Sequence, residues 1–171
     1  LESVKAEPIS TPPIERLLGE ADLTTVYSFC LKYEGHKWYV LTIKNDNLTL
    51  AFDLTTHLWA RWTDTSGNYF PIVSSTFTSA LGTLLQHETN GRIYGVDSVY
   101  TTDAGDLISA QIITPNFDGG VDRRKHLGAI RFLADQTPGS TLKVRCNDED
   151  YSPTKWTNYR SVDLSQKRPV L

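Results

Sequence analysis

An all-β chain of short antiparallel strands, with a single short helix near its start, is predicted by three observations. Apolar and aromatic residues alternate through most of the sequence after Glu20, in runs of four to eight bounded by Gly, Asn and Asp. Helical periodicity occurs only once, before that point. The chain also holds 20 threonines, whose β-branched side chains are restricted in helices and fit a pleated surface.

Residues 1–21 read as an entering arm and the helix. Thr11 is placed to cap free amides, Pro12 and Pro13 suit a first turn, Ile14, Leu17 and Leu18 recur at helical spacing, and Gly19 is the expected stop. Strands follow at Val26 to Tyr33, Trp38 to Ile43, Leu48 to Asp53 and Leu58 to Trp62, separated by the turn residues Glu34-Gly35 and Asn45-Asp46-Asn47. Asp64-Thr65-Ser66-Gly67 stops the last of these. Further strands centre on Ile72-Val73, Leu84-Leu85, Ile93 to Val96, Ile108 to Ile113, Ile130 to Leu133 and Leu142 to Val144. Asn90-Gly91 is the strongest short hairpin signal.

The pattern of a strand, a turn, a strand ending in Asp and a Thr-rich turn occurs twice, with Asp53 and Asp97 44 positions apart. A period of that size, with about four short strands in each unit, is how propeller blades read. The expectation is therefore antiparallel sheets forming β-propeller blades, with a β-sandwich as the alternative. Residues 22–115 would form two four-stranded units and 116–171 a partial blade.

Composition narrows function. A net charge of −3 gives no bulk attraction to nucleic acid or an anionic membrane. No apolar run approaches the roughly 18 residues of a spanning helix. Cys30 and Cys146 are expected to be reduced and packed. The absence of Met leads to the expectation of a processed product or an excised part of a longer polypeptide.

No motif supplies chemistry. His36, His57, His87 and His126 are scattered at strand ends and turns, whereas a metal needs three or four converging donors. Asp64-Thr65-Ser66-Gly67 departs from the Asp-Thr-Gly loop of aspartic proteases by its serine, and a turn explains it. Asp103-Ala104-Gly105-Asp106 and Asp118-Gly119-Gly120 lack the alternating oxygen ligands of a calcium loop and also read as turns. Catalytic residues, cofactors and metals are accordingly expected to be absent. Arg123-Arg124-Lys125 is the one basic run, a candidate partner contact whose simpler reading is a solvated loop. Trp38, Tyr39, Phe52, Trp59 and Trp62 are expected to be structural aromatic core, in preference to a carbohydrate platform.

The segments Ile14-Glu15, Glu34-Gly35-His36-Lys37-Trp38-Tyr39-Val40-Leu41-Thr42-Ile43 and Leu50-Ala51-Phe52-Asp53-Leu54-Thr55-Thr56-His57-Leu58-Trp59 resemble the packaged-DNA stabilisation proteins of short-tailed bacteriophages, the tail accessory or head-closure hub factors. The resemblance continues through Gly91-Arg92-Ile93-Tyr94, Tyr100-Thr101-Thr102-Asp103, Thr114-Pro115 and a strand pair from Leu142 to Trp156. Where that family often has a glycine-containing turn before its last Trp, this chain has Asn147-Asp148-Glu149-Asp150-Tyr151-Ser152-Pro153-Thr154-Lys155-Trp156. Because family members are longer, the resemblance implies a carboxy-terminal portion. It also implies a non-enzymatic virion tail protein, assembled in the host cytoplasm as a homo-oligomeric ring against portal, adaptor and other tail proteins. Such a ring closes the channel, holds packaged DNA that it contacts at most indirectly, and has no membrane partner. The alternatives are a phage glycan-binding or glycan-cleaving propeller module and a cellular kelch-like adaptor.

Overall fold

The computed structural model describes residues 7–115, 117, 119–120, 129–136, 138–149, 152 and 154–165. It is all-β with one short α-helix, and it divides into two compact units, Leu1–Ala110 and Gln111–Leu171.

The helix α1 spans Pro12–Glu20, with Thr11 extended before it. Thr11 makes no side-chain cap; Pro12 and Pro13 leave only the Ile14 amide of the first three helical positions for a cap to meet. Gly19 does not stop the helix, which ends one residue later with Ala21 extended. A single 3-10 turn, Leu23–Thr25, leads into the first sheet; Asp22 accepts the Thr24 amide (3.0 Å) at its start.

The first sheet orders β1 (Val26–Tyr33), β2 (His36–Ile43), β3 (Leu48–Asp53) and β4 (Leu58–Trp62) as successive antiparallel neighbours. Glu34 (φ 48°) and Gly35 (φ 82°) form the β1–β2 turn. Positive φ at both central residues matches the right-handed twist of the flanking strands, and it sets Tyr33 opposite His36.

That register, carried through the pairs Val40↔Ala51 and Ala51↔Ala60, sorts the side chains onto two faces. One face buries Leu31, Val40 and Ala51 against Ile72 and Leu85 of the second sheet, with Trp38, Trp62, Phe70 and Val96 packed around them. The other buries Ile43, Leu48 and Leu50 beneath Ile14, Leu17, Leu18 and Ala21 of the helix segment. Every residue of β3 is therefore buried.

The second sheet orders β5 (Ile72–Thr78), β6 (Gly82–His87) and β7 (Ile93–Val96), with a bulge between Ile72 and Ser74. Hydroxyls of Ser75 and Thr83 donate to the Cys30 and Lys32 carbonyls on the outer edge of β1. The loop from β6 to β7 is longer than a two-residue hairpin. Within it His87 Nδ1 accepts the Thr89 amide (3.2 Å), Asn90 accepts the Arg92 amide (2.9 Å), and Gly91 has φ 68°.

Asp53 ends β3 and Asp97 directly follows β7, and each accepts the amide two residues on (Thr55, 2.9 Å; Val99, 3.1 Å), so the sequence echo is a shared turn. After Asp97, however, the chain forms a separate hairpin, β8 (Thr102–Asp103) and β9 (Asp106–Leu107), around Ala104-Gly105. The second sheet thus has three strands.

In the second unit, β10 (Thr141–Val144) pairs with β11 (Arg160–Asp163). The partner of the Leu142 region is thereby corrected from the Trp156 region to Arg160–Asp163; Trp156 makes an isolated bridge with Asn147. Ile108 to Ile113 and Ile130 to Leu133 form no strand, since a β-branched run needs a ladder partner as well as local propensity. Cys30 and Cys146 are free and exposed, which corrects the expectation that they are packed. No helix among the described residues is long and apolar enough to cross a membrane.

Because β3 is sealed on both faces, truncation and overpacking there are both expected to be harmful. Leu50→Ala should cost about 2–5 kcal/mol and Ala51→Leu about 1–3 kcal/mol, read as lower denaturant midpoints at unchanged slope. Leu107→Ala, at an exposed position, should stay within about 0.5 kcal/mol of the parent.

Candidate functional site

The five predicted aromatic residues separate onto the two faces of the first sheet. Trp38 and Trp62 lie on the face toward the second sheet, with ring centroids 5.2 Å apart, and Phe70 meets Trp62 edge-on at 5.6 Å. Tyr39, Phe52 and Trp59 occupy the opposite face, where Phe52 and Trp59 are 5.0 Å apart and the Trp59 indole donates to the Ile9 carbonyl (2.9 Å). Phe52 is buried and the other four are half-buried. In the second unit, Arg145 lies 4.6 Å from the Trp156 ring and 4.7 Å from the Tyr159 ring, a cation–π arrangement.

The turn after β3 holds an ionisable pair that the sequence reading treated as separate residues. Trp38 pairs with Asp53, and His36 lies two positions before Trp38 on the same face. The Asp53 carboxylate, only 2% exposed, bonds His36 Nδ1 at 2.7 Å and the Thr56 hydroxyl at 2.8 Å through one oxygen. Its other oxygen accepts the Thr55 amide at 2.9 Å. Burial opposes ionisation, but the Thr55 amide, the Thr56 hydroxyl and His36 together outweigh it and hold the carboxyl down to about 2. A backbone bond from the Leu54 amide to the Lys37 carbonyl (2.8 Å) closes the same corner.

A His–Asp pair is also the base and its orienting group in nucleophilic hydrolases. Here the carboxylate is already filled by its own turn, and no serine, threonine or cysteine side chain among the described residues bonds the second His36 nitrogen. What the arrangement does is fasten the β3–β4 turn onto the β1–β2 hairpin.

At the opposite end of the sheet, Glu88 takes the Lys44 ammonium on one oxygen and the Tyr69 hydroxyl (2.7 Å) on the other. Lys44 lowers the Glu88 carboxyl and Glu88 raises the Lys44 ammonium, so both are charged at neutral pH. Burial, then the Glu88 charge, pushes Tyr27 up to about 12. Beside it, the buried Thr42 and Thr49 hydroxyls bond at 3.0 Å, and Thr49 also accepts the Phe70 amide at 3.0 Å.

The remaining candidates resolve simply. Asp64 accepts the Ser66 and Asn68 amides at 2.9 and 2.8 Å, making its segment a turn. Asp103 to Asp106 is the β8–β9 hairpin. Asp118, His126 and the run Arg123, Arg124 and Lys125 lie outside the described residues. Among the described residues no group of three or more His, Cys, Asp or Glu side chains is placed to hold a metal. A shallow cleft of about 280 Å³ is lined by Leu17, Glu20, Ala21, Asp46, Leu48 and Arg61; it brings two carboxylates together but includes no tryptophan.

No protein-family model, curated protein or solved structure matches the chain.

The Asp53 turn has a signed pH dependence. A carboxyl lowered from 3.8 to about 2 on folding contributes stability above the higher value and loses it as pH falls toward the lower one. Asp53→Asn should therefore be less stable than the parent at neutral pH, with a flatter decline on acidification through that interval. Thermal unfolding followed across the interval checks this, and parallel declines for the two proteins would contradict it.

Proposed function

We propose that the chain is a non-enzymatic structural component of a short-tailed phage virion, part of a tail hub that closes the portal channel and retains packaged DNA. Two independent considerations support the reading. One is the resemblance running from Ile14 through the Trp59 turn and Thr114-Pro115 to the stretch from Leu142 to Trp156. The other, which carries it, is the number of exposed large apolar residues along the sequence from β7 onward. Ile93, Val99, Tyr100, Leu107, Ile108, Ile112 and Ile113 are each at least 61% exposed. Large apolar side chains left in water in such number are what a covering protein would bury.

A hub acts through surfaces of this kind. Subunits arranged head to tail in a ring bury apolar strips against one another, and a plug retains DNA by obstruction. It needs none of the phosphate neutralisation of a groove binder, which agrees with the net charge of −3. Portal, adaptor and other tail proteins would be its partners, and the virion tail its location after assembly in the host cytoplasm. A glycan site would need carboxylates and an exposed ring in one concavity. The cleft beside α1 has the carboxylates of Glu20 and Asp46 without the ring.

The reading is tested with phage heads packaged in the absence of this protein. Adding the protein should make their genome resistant to external nuclease, and Ile93→Lys should weaken the protection. Heads that remain equally sensitive with and without it would contradict the tail assignment.

A further inference from the structure

The edges of the two sheets are treated differently. The β1 edge is met by the Ser75 and Thr83 hydroxyls. At β4 the edge strand carries the charged Arg61, and the entering arm approaches it, its Ile9 carbonyl taking the Trp59 indole N–H (2.9 Å). β5 packs beside β1. At β7, whose sequence Ile93-Tyr94-Gly95-Val96 holds no charge, β6 occupies one side and no strand among the described residues pairs with the other.

Its polarity is fixed by the register. The His87 amide bonds the Arg92 carbonyl at 3.1 Å, so Arg92, Tyr94 and Val96 direct their backbone groups toward β6. Ile93 and Gly95 direct theirs to the open side. Unpaired amides and carbonyls on an uncharged edge form a template for another strand.

The chain also holds a strand-like segment without a ladder. Ile108-Ser109-Ala110-Gln111-Ile112 alternates strictly between apolar and polar residues and belongs to no ladder among the described residues; Ile108 and Ile112 are 61% and 89% exposed. Laid along β7, its Ile108, Ala110 and Ile112 would continue the apolar face of Tyr94 and Val96, while Ser109 and Gln111 would face water.

We infer that β7 of one copy of this chain accepts residues 108–113 of a second copy as the missing fourth strand of its three-stranded sheet. Donor and acceptor are different surfaces of the same chain, so the contact is heterologous and propagates to a ring or a filament. It rests on one open strand edge and one segment without a ladder, and not on the tail assignment. Chains that associate while heads still leak, or the reverse, would separate the two.

The test uses sedimentation velocity on the full chain and two proline variants. Ile93→Pro removes an outward amide at the first residue of an edge strand, where proline is tolerated, and blocks only acceptance. Ile112→Pro blocks only donation. The parent should form larger species as its concentration rises, and each variant alone should remain monomeric with an unchanged circular dichroism spectrum. Mixed one to one, the variants should form dimers and nothing larger, because one intact acceptor meets one intact donor. Gly95→Pro serves as acceptor block if Ile93→Pro does not fold. A parent that stays monomeric at its highest soluble concentration would overturn the inference, as would variants that associate like the parent or a mixture without dimers. A monomeric parent would show that the edge is satisfied within its own chain.

Discussion

The first unit depends on one strand being dry on both faces. A strand inside a sheet satisfies its backbone through its two neighbours, but the side chains of β3 point alternately at α1 and at the second sheet. Neither layer alone would remove Leu48, Leu50 and Phe52 as well as Thr49, Ala51 and Asp53 from water. The polar members are tolerated because each is answered. The Thr49 hydroxyl sits between Thr42 and the Phe70 amide, and Asp53 between His36, Thr55 and Thr56. An unanswered hydroxyl or carboxylate at such a position would cost more than the bond it replaces contributes.

The same demand explains where the ionisable groups lie. His36 and Asp53 fasten one end of the sheet, and Lys44, Glu88 and Tyr69 fasten the other. Both groups join segments distant in sequence and hold the loops that border the packed faces. The His36–Asp53 pair ties a turn to a hairpin, because the Asp53 carboxylate also takes the Thr55 amide and the Thr56 hydroxyl of its own turn.

The first sheet was largely legible from sequence. Alternation from Val26 to Trp62 and the turn-forming Glu34-Gly35 and Asn45 to Asn47 are local signals, and the strands follow them closely. The His36–Asp53 pair was missed because a search for ligand motifs looks at neighbours along the chain. Counting residues through the two hairpins would have put both on one face. The Thr11 cap does not form, although the two prolines after it still leave the Ile14 amide within the first turn. Cys30 is exposed because α1 covers the Ile43 and Leu48 end of its face and not the Tyr39 end. Ile108 to Ile113 has every local mark of a strand, but pairing is a property of two segments, and no partner is marked in one segment's own composition.

An interior strand sealed by both layers, and an outer strand left for a partner, make opposite demands on the same backbone. Amide hydrogen exchange reads both at once. In dilute solution the account predicts the slowest exchange across Leu48 to Asp53, together with fast exchange at Ile93 and Gly95 that slows when the chain is concentrated. Protected Ile93 and Gly95 amides in the dilute monomer, or β3 amides exchanging as quickly as the edge, would contradict it.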